Sequence, residues 1–284
     1  MTATLWRCRD RSLDLGAPVV MGVLNVTPDS FSDGGRFAER DVALRHARRM
    51  IEEGAAIIDV GGESTRPGAA AASLEEELDR VVPVIEALRR ESSAFISVDT
   101  SKPEVMRAAC TAGADIINDV RALREPGAMS AAASAGAGIC LMHMKGEPRT
   151  MQDAPRYDDV VDEVRAFLAE RVAACHAAGI DSARITIDPG FGFGKRVLDN
   201  LVLLKQLRQL EKLGVPLAVG LSRKSMLAKI TGRGVDDRTA GSVALAAIAV
   251  LHGARIVRAH DVAATVDAIR VAAAVVQGES FDGT

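Results

Sequence analysis

Aromatic residues are scarce: one Trp, one Tyr and seven Phe make up 3% of 284 residues. The hydrophobic fraction is nonetheless 48%, so the core must be assembled mainly from Val, Ile, Leu and Ala. An excess of either charge is also missing. The formal net charge is −3 and the sequence pI about 6.0. That excludes the basic footprint of a nucleic-acid binder, and any anion site has to be local. Cysteine is sparse and scattered, as Cys8, Cys110, Cys140 and Cys175 with no CxxC pair. A zinc cluster or a dense disulfide framework is excluded, and buried free thiols in a reducing compartment are expected. No long apolar run exists. The longest clean one, 243–251, is far short of the ~20 residues that span a bilayer. The segment Trp6-Arg7-Cys8-Arg9-Asp10-Arg11 carries no apolar signal sequence. The expectation is a cytoplasmic protein with no membrane and no nucleic-acid partner.

What is present is a recurring local pattern. A helical stretch ends in Gly, often followed by Ala, and a short aliphatic run comes next. It occurs as Gly54-Ala55 before Ile57-Ile58-Asp59-Val60, as Gly113-Ala114 before Ile116-Ile117-Asn118, and as Gly136 before Ile139-Cys140-Leu141. It returns as Gly179 before Ile185-Thr186-Ile187 and as Gly253-Ala254 before Ile256-Val257. Gly suits a left-handed helix cap, and helix–Gly–buried strand is the signature of stacked αβ units. Eight strands are predicted, at 19–25, 57–61, 95–99, 115–119, 138–143, 185–188, 216–221 and 254–259. Most are continuous apolar runs, as parallel strands covered on both faces are. Helices fit between them, among them 158–178, 197–213, 236–252 and 262–277, and Ser73 with Glu76 forms a capping box. With no linker dividing the chain, the reading is α/β: one (β/α)8 barrel with an N-terminal extension of residues 1–18. A doubly wound open sheet is the alternative.

Barrel chemistry gathers at the C-terminal strand ends. Here these carry Asn25, the Gly61–Gly68 loop, Asp99, Asn118-Asp119, His143, Asp188, Ser222-Arg223-Lys224-Ser225 and Arg258-Ala259-His260. Any one strand-terminal Asp or Asn serves equally well as a helix cap; eight polar ends coinciding point to a site. Asp59, inside its strand, reads as a structural polar group within the barrel. The stretch Pro189-Gly190-Phe191-Gly192-Phe193-Gly194-Lys195-Arg196 fails as a phosphate loop, since Arg196 follows Lys195 and three residues separate its outer glycines. Arg258 and His260, two apart on a strand, are expected to face one anion.

Five blocks carry a resemblance. The run Met21-Gly22-Val23-Leu24-Asn25-Val26-Thr27-Pro28-Asp29-Ser30-Phe31-Ser32-Asp33-Gly34-Gly35 resembles the first signature of the dihydropteroate synthases, and Ile58-Asp59-Val60-Gly61-Gly62-Glu63-Ser64-Thr65-Arg66-Pro67-Gly68 resembles the second. The segment 188–195, Ser222-Arg223-Lys224-Ser225 and Arg258-Ala259-His260 match as well, so the resemblance covers residues 21 to 260. It implies condensation of 6-hydroxymethyl-7,8-dihydropterin pyrophosphate with 4-aminobenzoate, in folate biosynthesis, with sulfonamides competing for the benzoate site. It implies a dissociative, Mg2+-assisted reaction and a homodimer. It further implies Asp33, Arg66 and Lys224 as catalytic, and a pterin held by Asp99, Asn118, Met144, Asp188, Phe193, Gly220 and Lys224. Pyrophosphate would meet Asn25, Thr65, Arg66, Arg258 and His260, with Asn25 also the Mg2+ ligand. The benzoate would meet Phe31, Thr65, Pro67, Phe191, Lys224 and Ser225. The loops 26–36 and 63–72 are expected to close over the site, held by an Asp33–Arg66 contact. A folate-dependent methyltransferase domain, a Schiff-base aldolase using Lys224, and an inactive pterin-binding paralogue are the competing readings.

Overall fold

The chain enters its fold through a hairpin, β1 (Leu5–Cys8) antiparallel to β2 (Arg11–Asp14). The computed structural model describes residues 4–26, 35–63, 72–147 and 150–278. After the hairpin come β3 (Val19–Asn25), α1 (Gly35–Glu52), β4 (Ile57–Gly61), α2 (Leu74–Glu91), β5 (Phe95–Asp99) and α3 (Pro103–Ala112). Then follow β6 (Ile116–Asp119), α4 (Ala128–Ala135), β7 (Gly138–Met142), α5 (Val160–Ala177), β8 (Ile185–Asp188) and α6 (Val197–Lys205). The last elements are β9 (Leu217–Gly220), α7 (Ser225–Thr231), α8 (Thr239–Leu251), β10 (Ala254–Ala259) and α9 (Val262–Gln277). Strands β3 to β10 pair in parallel in sequence order, and β10 returns to β3 to close the barrel. The (β/α)8 reading holds, and the open-sheet alternative fails on that last pairing.

The strands lie where their aliphatic runs predicted. All five residues of β4 are buried, Asp59 among them, because helices cover the outside and side chains fill the inside. The capping box forms: Ser73 Oγ accepts from the Glu76 N–H at 3.2 Å, and the Ser73 N–H donates to Glu76 Oε2 at 2.8 Å. Gly113, at φ 119°, ends α3 as expected.

Three features differ from the sequence reading. The helix expected over 197–213 divides: α6 stops at Lys205 and a 3₁₀ segment continues as Leu207–Leu213. At three residues per turn, Leu207 and Leu210 fall on one face, and both are fully buried. The 236–252 helix likewise begins only at Thr239, after a short 3₁₀ turn. Third, the N-terminal extension is a structural part of the barrel. Trp6, Cys8 and Leu15 pack against Met21, Ile57, Ile116, Cys140, Ala218 and Ile256, which lie toward the N-terminal ends of six strands. Trp6 Nε1 donates to the Arg184 carbonyl at 3.0 Å. Gly138 makes this fit possible, since a Cβ there would lie 2.5 Å from Cys8 Sγ. The hairpin thus seals the N-terminal mouth, and the C-terminal mouth is left for chemistry.

Candidate active site

The strand ends converge as barrel closure requires. Asp99, Asn118, Asp188, Gly220 and Arg258, from five different strands, line one pocket with Lys224, Val120, Met142, Gly190, Phe191 and Phe193. The carboxylate Asp59 lies among them, fully buried. Its Oδ2 accepts from Arg258 Nε at 2.6 Å and from Asn118 Nδ2 at 3.1 Å. Arg258 Nη2 donates to Asp99 Oδ2 at 2.8 Å. One guanidinium therefore neutralises two carboxylates from two strands, and Asp59 orients both Arg258 and Asn118. Burial pushes the Asp99 carboxyl up, to about 7, against the pull of Arg258. Burial also works against the charge of Arg258, but Asp59 and Asp99 outweigh it and hold its pKa above the usual arginine range.

On the opposite side, Asp188 Oδ1 accepts from the Gly190 N–H at 2.7 Å, which leaves Oδ2 turned toward Gly220 and the pocket. Burial raises the Asp188 pKa; the Gly190 N–H and Lys224 restrain it. Lys224 immediately precedes α7, and its Nζ rests 4.2 Å from the centroid of the Phe193 ring. Burial and then Arg258 lower the Lys224 pKa to about 8, against Asp188 and Asp99. The pocket thus offers two carboxylates, an amide and an ammonium around one apolar wall. Val120, Met142, Met144 and Met151 build that wall, with Phe193 packed against them. Such a set matches a flat heterocycle with a polar edge.

Of the residues expected at the pterin, Asp99, Asn118, Asp188, Phe193, Gly220 and Lys224 meet in this pocket, and Met144 stands behind Phe193. Phe191, expected at the benzoate, is buried to 1% exposure and lines the same pocket. Ser225 lines a second cleft of about 190 Å³ with Gln152, Gly192, Lys195, Arg196, Asn200 and Lys229. Gly192 borders both, because a Cβ on it would sit 3.2 Å from Lys224 Cδ. Asn25, at the end of β3, has its Oδ1 beside Gly61, which on its other side faces Asp99. Phe31, Asp33, Thr65, Arg66 and Pro67 lie outside the described residues, with the Asp33–Arg66 contact and most of both loops.

Arg258 and His260 lie close enough that the guanidinium acts on the imidazole, although β10 ends at Ala259 and His260 lies one residue beyond it. Arg258 turns inward to Asp59 and Asp99, whereas His260 Nδ1 lies 3.0 Å from Ser222 Oγ on the loop after β9. Burial, then Arg258 and Arg223, lower the His260 pKa to about 3, so its imidazole is neutral near pH 7. Val120 and Met142 went unnoticed in the sequence because an apolar residue at a strand end reads as core; the strand-end position itself was the usable signal.

The model of the family described as "Pterin binding enzyme" matches residues 21–260. The dihydropteroate synthase of Escherichia coli (strain K12) is 54% identical over 268 residues, 94% of this chain and 95% of its own. The Yersinia pestis dihydropteroate synthase, solved with a sulfonamide drug complex, superposes with a TM-score of 0.92 at 50% identity, covering 96% of this chain and 99% of that one. The Xanthomonas albilineans dihydropteroate synthase in complex with 7,8-dihydropteroate superposes with a TM-score of 0.87 at 51% identity, covering 95% and 98%. A closed barrel, a strand-end pocket of carboxylates and lysine, and half the sequence shared over nearly the full length lead to one conclusion: the chain belongs to the dihydropteroate synthase family of pterin-binding enzymes and is a transferase.

Proposed function

We propose that this chain condenses 6-hydroxymethyl-7,8-dihydropterin pyrophosphate with 4-aminobenzoate to 7,8-dihydropteroate and pyrophosphate, in folate biosynthesis. The convergence of Asp99, Asn118, Asp188 and Lys224 on one pocket carries the reading. The amine and amide N–H groups of a pterin edge are donors, and carboxylate oxygens and an amide oxygen accept them. Lys224 donates to the ring carbonyl and ring nitrogen. The Xanthomonas structure with 7,8-dihydropteroate supports the same ligand here.

The reaction breaks the bond between the pterin methylene and the pyrophosphate oxygen, whose electron pair leaves with pyrophosphate. The lone pair of the aromatic amine then forms the new C–N bond, and its proton goes to solvent. A leaving group that departs first needs charge stabilisation more than a strong base. Arg258 retains Nη1 for an anion after spending Nε and Nη2 on Asp59 and Asp99, and neutral His260 offers a donor. Asp33, Thr65 and Arg66 complete the anion site in this reading, with Phe31 and Pro67 at the aromatic amine. The benzoate carboxylate goes to the cleft at Ser225, beside Lys229 and Arg196. Sulfonamides compete there.

Among the described residues no group of three His, Cys, Asp or Glu is placed to hold a metal ion. Mg2+ takes oxygen ligands and draws most of them from substrate phosphates and water. Asn25 Oδ1, a hard oxygen at the pocket rim, fits Mg2+ as the protein ligand. When bound, Mg2+ neutralises charge developing on pyrophosphate.

A homodimer is supported by the apolar face that α8 and α9 leave exposed: Ile248, Leu251, Val271, Val275 and Val276. Sedimentation of the purified chain tests it. No helix among the described residues is long and apolar enough to cross a membrane, and the four free, buried cysteines support a cytoplasmic setting.

Pyrophosphate release with both substrates and Mg2+ is the deciding assay. Release that needs both organic substrates and stops with EDTA bears the reading out. Pterin binding without release under any condition makes the chain an inactive pterin-binding paralogue.

A further inference from the structure

The segment 190–194 joins β8 to α6 and carries Phe193 into the pocket. Its glycines Gly190, Gly192 and Gly194 take φ of 67°, 78° and 61°. A Cβ on Gly190 or Gly194 would strike the carbonyl oxygen of His143 or Lys145, so the loop lies pressed against the chain leaving β7. Side chains hold it there. The Gly192 N–H donates to Asn200 Oδ1 at 2.8 Å, the Gly192 carbonyl accepts from Gln152 Nε2, and the Gly194 carbonyl accepts from the Tyr157 hydroxyl at 2.7 Å.

The centre of this arrangement is Lys195, 3% exposed. Its Nζ donates to the Gly190 carbonyl at 2.9 Å and the Phe193 carbonyl at 3.2 Å, and lies 2.9 Å from His143 Nδ1. His143 is 5% exposed. Burial and the neighbouring Lys195 charge lower its pKa to about 2, so the ring is neutral and Nδ1 is assigned as the acceptor. Burial lowers the Lys195 pKa to about 7, against the pull of Asp188. In its charged form the ammonium has three N–H groups, and all three are used. Burying a charge is costly unless it is fully hydrogen-bonded. No neutral side chain supplies three donors from one atom, which is what two loop carbonyls and a ring nitrogen demand here. None of the three reaches a ligand.

We propose that Lys195 is a positioning residue: clamped between His143 and the 190–194 loop, it fixes the Phe193 ring that supports Lys224 at the pterin pocket. The inference rests on the pterin reading only for the identity of the ligand. The clamp itself is tested without one. An amine-acetylating reagent is applied to the free protein, and the rate at Lys224 is followed by mass spectrometry. Lys195→Met and His143→Leu should speed labelling of Lys224 severalfold, because Phe193 no longer covers it. His143→Asn places an amide oxygen near the Nδ1 position and should restore the wild-type rate within twofold. Affinity for a pterin analogue, measured in parallel, should fall about tenfold in the first two variants and recover in His143→Asn, with circular dichroism showing each native at that temperature. A lowered thermal midpoint with unchanged labelling and affinity overturns the proposal. Should Lys195→Met not fold, the contrast between His143→Leu and His143→Asn decides it. Wild-type protein that binds no pterin, yet shows the predicted labelling pattern, overturns the functional reading and leaves the clamp standing.

Discussion

Arg258 reaches across the barrel from β10 to β4 and donates from Nε to Asp59 Oδ2 at 2.6 Å. Asp59 is fully buried and Arg258 is 23% exposed, so the pair is largely withdrawn from water. The same Asp59 oxygen accepts a hydrogen bond from Asn118 Nδ2, and the same guanidinium binds Asp99. Asp59 therefore orients Asn118, expected at the pterin, directly, and Asp99 through Arg258.

Arg258→Ala is expected to damage more than an anion contact. Removing one partner of a buried ion pair costs roughly 3–5 kcal/mol, because the other charge stays buried. Here two carboxylates lose their counterion. Denaturant unfolding should show that loss, and calorimetry should show weaker binding of a pterin analogue as well as of pyrophosphate. From sequence alone, Arg258 serves only the pyrophosphate and pterin binding survives its removal; intact pterin affinity in the variant would restore that simpler role.

Asp188→Asn separates recognition from turn formation. Oδ1 is committed to the Gly190 N–H, so the amide must keep its oxygen there and present its NH2 to the pocket. Donor then faces donor at a pterin edge, a mismatch of ~1–3 kcal/mol. That is about 5- to 150-fold in affinity for a pterin analogue at little cost in unfolding midpoint. Unchanged affinity would make Asp188 a turn former only.

The pH dependence of pterin binding should have an alkaline limb set by Lys224. Its folded-state pKa is lowered to about 8, so it is an ammonium donor below that pH and loses its charge above it. Affinity for a pterin analogue should therefore fall as pH rises through about 8. On the acid side, the raised Asp99 and Asp188 carboxyls must ionise to accept the ligand's N–H groups, so affinity should also fall as pH drops. In Lys224→Met the alkaline limb should vanish along with much of the affinity. A limb that persists unchanged in that variant would belong to another group.

Trp6→Ala tests the hairpin that seals the N-terminal mouth. The indole is fully buried and bonded to the Arg184 carbonyl, so truncation should cost about 3–5 kcal/mol. Below its unfolding transition the variant should keep wild-type pyrophosphate release, because the pocket lies at the opposite end of the strands. Loss of activity in a folded variant would show that the two ends of the barrel are coupled. Trp6 is the single tryptophan of the chain, so its fluorescence in the wild type reports hairpin undocking directly.

The sequence reading succeeded where the signal is local. The strand runs 57–61, 95–99, 185–188 and 254–259 coincide with β4, β5, β8 and β10, because helix caps and aliphatic runs are short-range features. It went astray where neighbours in space decide. The 197–213 helix breaks so that Leu207 and Leu210 reach the core, and Arg258 spends two of its donors on Asp59 and Asp99 from other strands.

By itself the sequence determined the αβ order, the eight strands and the identities of the polar residues at their ends. Tertiary structure decided which of those residues meet. Arg258 and Asp59 are 199 positions apart, Trp6 and Arg184 are 178, and Lys195 and His143 are 52. Closure of β10 onto β3 sets the tilt and stagger of every strand, and hence which inward side chains share a layer. No local propensity carries that information. A strand of Ile-Ile-Asp-Val-Gly is buried in any barrel, but only the closed register puts its aspartate against an arginine from the last strand.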